Sequence, residues 1–272
     1  MKKIIIIDLD GTALADGQTI APKTQAALQV AKMQGHEIVI ATGRPLNAMH
    51  HFAEKINPTA IVTSNGAVVM TYHQQELSVI ARQGLDGSLF ERAIGQQLDD
   101  IETVWLEAHD QTLITNLHPH LAVVFNSHRP IGFEYQQKNQ LRSADYEQAQ
   151  VCLLLLKQNR DVEVVAQQLR ARLGAAYQLH CFVEGGVQFI ELSLAHVNKA
   201  TGLQTLQQMY AWEFSEMIAF GDQYNDQEML QAVGHGVAMK NAPQAIQDLA
   251  DAVTTYDNVN GGVGIYLTNY LK

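Results

Sequence analysis

Four consecutive isoleucines, Ile4 to Ile7, run straight into Asp8-Leu9-Asp10-Gly11-Thr12, and this stretch constrains the fold more than any other. β-branched residues at every position, without alternation, describe a strand buried on both faces, as in a parallel sheet covered by helices. In such sheets ligands bind beyond the carboxyl ends of the strands. Asp8 and Asp10 fall there, two residues apart, so in an extended chain their side chains share one face. Two acids so placed repel, and a hard cation such as Mg²⁺ relieves the repulsion. A plain turn after a strand is the competing reading of Asp-Leu-Asp-Gly. A calcium loop is not, because its bidentate acid would fall on Thr19. Lys2 and Lys3 offer the basic start of a signal peptide, but Asp8 cuts the apolar run too short for one.

A chain of 272 residues accommodates one large domain or a core carrying an inserted second domain, and the second arrangement is expected here. A formal net charge of −10 argues against nonspecific nucleic-acid binding, which needs excess Lys and Arg to neutralise phosphates. An anionic small substrate then needs a local cluster of cations. Cys152 and Cys181 lie in apolar runs and read as inert buried thiols, and no apolar run reaches membrane-spanning length. A cytoplasmic protein without nucleic-acid or membrane partners is expected; nothing specifies its oligomeric state.

Along the chain, Thr12 to Ala21 reads as a loop, and Pro22 opens a helix stopped by Gly35. Glu37 to Ala41 is a second buried strand, ending in Thr42-Gly43-Arg44-Pro45, and Pro45 is expected to start a helix with Leu46, Met49, Ala53 and Ile56 on one face. Ala60 to Thr63 and the Asn65-Gly66 turn lead into a hairpin. From Gln83 the pattern changes to a small α/β unit, with Ala122 to Arg142 largely loop. Phe189 to Leu192 is expected to return the chain to the first style. Met217 to Phe220 is a strand that hands over to Gly221-Asp222-Gln223-Tyr224-Asn225-Asp226. Taken singly, Thr42 reads as a cap, Lys199 as a surface lysine, and Asp222 or Asp226 as helix caps. Jointly, two acids, a hydroxyl, a lysine and a further acid pair recur in order, each after an apolar strand or beside a helix start.

DLDGT at Asp8 to Thr12, ATGRP at Ala41 to Pro45, SNGA at Ser64 to Ala67, VNKATGL at Val197 to Leu203 and GDQYND at Gly221 to Asp226 resemble the haloacid dehalogenase superfamily, and within it the Cof-type phosphatases of subfamily IIB. AMKNA at Ala238 to Ala242 resembles a further family segment. The resemblance implies a doubly wound, mainly parallel, Rossmann-like core at residues 1–82 and 187–272, and an inserted α/β cap at 83–186 that acts as a lid and selects the substrate.

It also implies roles. Asp8 would be the nucleophile that forms an aspartyl-phosphate, and Asp10 the acid and base for leaving group and water. Mg²⁺ would be held by Asp8, the backbone carbonyl of Asp10, and Asp222, with Asp226 in support. Thr42, Lys199, Asn225 and the backbone at Leu9 and Gly43 would hold the phosphate oxygens. Arg44 would reach the substrate or pair with an acid; both readings stay open. The expected activity is Mg²⁺-dependent hydrolysis of a small phosphorylated metabolite such as a sugar phosphate. A sugar phosphomutase and a phosphate-binding protein without turnover are the rivals. His50-His51 and His118-Pro-His120 lack partners at metal-ligand spacing and read as surface residues. Trp105 and Trp212 read as packing residues.

Overall fold

The computed structural model describes residues 2–116, 133–184 and 186–272. In chain order its strands are β1 (Ile4–Ile7), β2 (Glu37–Ala41), β3 (Ala60–Thr63), β4 (Val68–His73), β5 (Glu76–Arg82), β6 (Ile101–Ala108), β7 (Thr112–Ile114), β8 (Phe133–Tyr135), β9 (Ala149–Leu156), β10 (Tyr177–Glu184), β11 (Val187–Leu194), β12 (Met217–Gly221), β13 (His235–Ala238) and β14 (Ala252–Val253). The chain divides into two compact units. One comprises residues up to Arg44 with Met49–Arg82 and Asn198–Lys272; the other comprises Gln83–Val197 with Pro45–Ala48.

The first unit is built on an eight-stranded sheet of order β14-β13-β12-β1-β2-β3-β4-β5. The six strands from β14 to β3 are parallel, and β4 and β5 add an antiparallel edge. β1 lies between β12 and β2, with Ile7 level with Phe220 on one side and Ile40 on the other. All four of its isoleucines are buried, which explains a strand without polar alternation. Ile4 and Ile6 pack with Val39, Val62, Leu203, Leu206 and Met229 in one core layer. Ile5 and Ile7 project to the opposite face by the period of two, and on the outside of this unit helix Pro22–Met33 packs against helix Gly262–Tyr270.

The second unit has a six-stranded sheet of order β10-β11-β9-β6-β7-β8, antiparallel except for the β7–β8 pair. Helices Gly87–Gly95, Ser143–Gln148 and Val162–Leu173 complete it, and Phe90, Tyr146, Leu154, Leu169 and Ile190 share its core. Trp105 is buried against Leu153, Leu155 and Phe189. Cys152 is buried and burial raises its thiol, whereas Cys181 is partly exposed.

Two expectations change. The segment expected to resume the core at residue 187 forms β11, which pairs with β10 along its whole length and with β9 on its other side, so the first unit resumes at Asn198. An apolar strand pattern carries no mark of which sheet will take it. The helix expected from Pro45 is broken: Leu46–Ala48 makes one tight turn, Met49 leaves the helical region at φ −129°, and a helix follows at His50–Ile56. The loop expected from Thr12 to Ala21 is closed by a bridge between Leu14 and Ile20, and Asp16 Oδ1 accepts the N–H groups of Gln18 and Thr19 within it. His118, His120 and most of the Ala122 to Arg142 segment lie outside the described residues.

Burial of β1 on both faces sets the first prediction. Ile6→Ala should lower unfolding free energy by about 2–5 kcal/mol and Ile6→Val by about 0.5–1.5 kcal/mol, measured by urea denaturation. A loss below that of the Val variant for Ile6→Ala would contradict the assigned packing.

Candidate active site

Parallel neighbours end at the same edge of a sheet, so the order β12-β1-β2 sets the residues following these strands side by side. Asp8 extends β1, its N–H donating to the Phe220 carbonyl at 3.1 Å. Thr42 follows β2, its N–H donating to Val62 at 2.9 Å, and Asp222 follows β12. Lys199 arrives from a different direction, at the start of helix Lys199–Tyr210. Asn198 Oδ1 accepts the Thr201 N–H at 3.0 Å, and Thr201 Oγ1 accepts the Asn198 N–H at 3.1 Å, a reciprocal cap that fixes where this helix begins. Gly66 lets that helix start approach the turn after β3, since a Cβ there would stand 2.0 Å from the Asn198 carbonyl oxygen.

Lys199 is fully buried, contrary to the ordinary expectation for a lysine near a helix start. Its ammonium donates to Asp8 Oδ1 at 2.7 Å and Asp226 Oδ1 at 2.5 Å. The second oxygen of Asp226 accepts the backbone N–H groups of Asp222 at 2.9 Å and Gln223 at 3.0 Å. Asp226 is therefore held through both oxygens and itself fixes Lys199. Burial pushes the Asp8 carboxyl up to about 8; Lys199 opposes this, while Asp226 and Asp222 add to it. Lys199 is held above the usual lysine range, since its two carboxylate partners outweigh the burial that disfavours its charge.

Asp222 is raised to about 6 by burial first and by Asp226 next. Thr12 Oγ1 donates to its Oδ1 at 3.0 Å, and Asn241 Nδ2 approaches its Oδ2 at 3.4 Å while donating to the Gly11 carbonyl at 2.8 Å. Asn241 Oδ1 in turn accepts the Asn258 N–H at 3.1 Å. Gly11, with φ +73°, makes room for Asp222: a Cβ there would lie 2.2 Å from Asp222 Oδ2. Carboxylate oxygens of Asp8, Asp222 and Asp226 all come within 4.8 Å of one another. Such an oxygen-rich, mutually repelling donor set fits a hard divalent cation.

Asp10 stands apart from these three. Its carboxylate receives a two-pronged contact from Arg44, Nε to Oδ2 at 2.6 Å and Nη2 to Oδ1 at 2.5 Å. Of the two roles open to Arg44, the structure exhibits pairing with an acid. Thr42 Oγ1 accepts the Arg44 N–H at 3.1 Å, which leaves its own proton to donate elsewhere. Asn225 Nδ2 donates to Asn65 Oδ1 at 2.9 Å, and Asn65 Oδ1 lies beside Gly43. Leu9 is buried, and its carbonyl accepts the Leu14 N–H in the turn that carries Asp10. Asn65, Asn241 and Asn258 carry no role in the sequence reading. The SNGA and AMKNA segments marked the first two, whereas nothing in the sequence pointed to Asn258. Among the described residues no histidine joins a three-ligand cluster, and His50 lies beside Glu54 on the helix surface.

A doubly wound sheet that gathers acids, a threonine and a buried lysine at its parallel strand ends is the architecture of the haloacid dehalogenase enzymes. The family model described as haloacid dehalogenase-like hydrolase matches residues 5–267, and the chain belongs to that family as a Cof-type member, a phosphatase hydrolysing phosphoric monoesters. It is 29% identical to the 5-amino-6-(5-phospho-D-ribitylamino)uracil phosphatase of Bacillus subtilis, covering 99% of this chain and 97% of the relative. It is likewise 29% identical to the HMP-PP phosphatase of Citrobacter koseri, covering 100% of this chain and 96% of the relative. Among solved structures, a phosphatase of the same superfamily from Bacteroides thetaiotaomicron superposes with a TM-score of 0.79 at 25% identity, over 99% of this chain and 95% of that one. A Thermotoga maritima protein, at TM-score 0.81 and 22% identity, covers 99% of this chain and 97% of its own and shares the fold.

The buried ion triad yields a stability prediction. Lys199→Met should cost about 3–5 kcal/mol, because it strands two buried carboxylates. Adding Asp8→Asn to that variant should restore part of the loss, read by denaturant unfolding with circular dichroism. Full additivity of the two changes would mean that Lys199 and Asp8 do not share an interaction.

Proposed function

We propose that the chain hydrolyses a small phosphomonoester through an aspartyl-phosphate on Asp8, with Mg²⁺ as cofactor, in the cytoplasm. The observation that carries this reading is the Asp8 carboxylate, buried at the end of β1, paired with Lys199 and in the same cluster as Asp222. In the first step an Asp8 oxygen attacks phosphorus and the bond to the leaving oxygen breaks, while Asp10 delivers a proton to that oxygen. In the second step Asp10 takes a proton from water, water oxygen bonds to phosphorus, and the acyl-phosphate bond between the Asp8 oxygen and phosphorus breaks to release phosphate and the Asp8 carboxylate. Thr42, Asn225, Lys199 and the backbone N–H groups at Leu9 and Gly43 serve the nonbridging oxygens throughout.

Asp8, Asp222 and the main-chain carbonyl of Asp10 would hold Mg²⁺, with Asp226 fixing Lys199 and the Asp222 backbone. When bound, the ion neutralises charge on the phosphoryl group. Selection of the leaving group is assigned to the second unit, since every residue given a chemical role lies in the first. A sugar phosphate or a related small phosphorylated metabolite is the expected substrate class, and one of the two relatives is named for a substrate that carries a phosphorylated ribityl group.

Asp8→Asn keeps the side-chain shape and removes the attacking charge, so it should lower turnover of a generic aryl phosphate by roughly 10³-fold or more with the circular dichroism spectrum unchanged. Near-normal turnover would refute the nucleophile. Mg²⁺ should stabilise the protein by about 2.7 kcal/mol at a hundred times its dissociation constant, a thermal shift lost in Asp222→Asn. Chelation should abolish activity and Ca²⁺ should not restore it, because calcium takes more oxygen ligands at longer range. Activity that survives chelation would exclude the metal.

A further inference from the structure

We infer that Arg44 is the positioning residue for the proton shuttle, holding Asp10 apart from the carboxylate cluster; this rests on the reading of Asp10 as acid and base. Asp8 and Asp10 are close in sequence, yet their environments differ completely. Asp8 is buried in the Lys199 triad, while the Asp10 side chain is about half exposed, at 53%, in the wide turn Leu9–Ala13, where its own backbone is non-helical. An exposed aspartate on a turn samples several rotamers, and a proton donor must stay within hydrogen-bond reach of the leaving oxygen.

Arg44 removes that freedom, and it is itself constrained from several sides. Its backbone N–H donates to Thr42 Oγ1, and its carbonyl accepts the Ser64 N–H at 3.0 Å. Its guanidinium carbon lies 5.2 Å from the Phe52 ring centroid. Nη2 donates at once to Asp10 Oδ1 and to the Gly17 carbonyl, at 2.7 Å for the latter. Only a planar fork with fixed donors makes the paired contact to both Asp10 oxygens. The loop after β2, the turn after β1 and the loop at Gly17 are thus joined through one side chain, and that side chain ends on the proposed proton donor.

A leaving-group series distinguishes this role from substrate binding or plain stability. Dinitrophenyl phosphate releases a weakly basic oxygen that needs no proton, whereas an alkyl phosphate needs one. Arg44→Gln should lower kcat/KM for the alkyl phosphate by about 10²–10³-fold and for dinitrophenyl phosphate by less than about tenfold. Arg44→Lys should fall between the wild type and Arg44→Gln, and it provides the measurement if Arg44→Gln does not fold. Asp10→Asn should exhibit the same dependence on the leaving group, and Arg44→Gln added to it should change nothing further. Equal losses on both substrates for the Arg44 variants, with Asp10→Asn still selective, would overturn the inference alone. Equal losses for Asp10→Asn would overturn the acid–base reading on which it rests.

Discussion

A buried ammonium shared by two buried carboxylates is the interaction on which the rest of the first unit depends. Lys199, Asp8 and Asp226 come from a helix start, a strand end and a strand-to-helix turn, Lys199 lying 191 positions after Asp8 and 27 before Asp226. None of these charges is stable alone in the interior, since desolvation of an unpaired ion costs several kcal/mol. The triad therefore forms only when all three segments are in place. The close approaches around it serve that end: Gly66 admits the Asn198 carbonyl, and Gly202 packs its helix onto Val62. Asp226 also ties the lysine to the backbone that carries Asp222, so the charge at the strand edge and the course of the chain after β12 are fixed together.

Topology explains why residues so distant in sequence meet. With β1 central and β12 and β2 on either side, three parallel strands deliver their carboxyl ends to one edge, and every strand end carries a polar residue there. Each strand is short and apolar, so sheet burial fixes its position while the residue just beyond is left to face the ligand edge. The same short apolar strands impose no chemistry of their own. That separation is what lets an all-isoleucine strand serve as a rigid mount for Asp8.

Much of this was legible in the sequence because β1, β2 and β12 each announce a buried strand and then stop at a polar motif. The acids, Thr42 and Lys199 could be listed in order from that pattern. What the pattern could not carry was partnership. Val187–Leu194 reads as an apolar strand whichever sheet accepts it, and its pairing with β10 moved the unit boundary to Asn198. Pro45 satisfies the first turn of a helix, but nothing local revealed that Met49 would break it. Arg44 was compatible with a substrate or an acid, and the choice depended on the position of a turn 34 residues earlier. Asn258 reaches the site through its N–H to Asn241 and its side-chain amide to the Leu14 carbonyl at 2.7 Å, links between loops that periodicity does not encode.

Charge balance joins the site to the substrate. Asp8, Asp10, Asp222 and Asp226 are four carboxylates, and the cations hydrogen-bonded to them among the described residues are Lys199 and Arg44. The edge thus carries excess negative charge in a chain that is already acidic overall. A phosphate monoester, itself an anion, meets repulsion at such a site unless a further positive charge accompanies it. On the proposed reading a divalent cation held by Asp8 and Asp222 would supply that charge and would oppose the upward push of burial on the Asp8 carboxyl, favouring the ionised form. Arg44 does not contribute to that balance at the cluster, because its charge is already committed to Asp10. The two cations of the site are in this way divided between two tasks: Lys199 stabilises the nucleophile's cluster, and Arg44 keeps the second aspartate out of it.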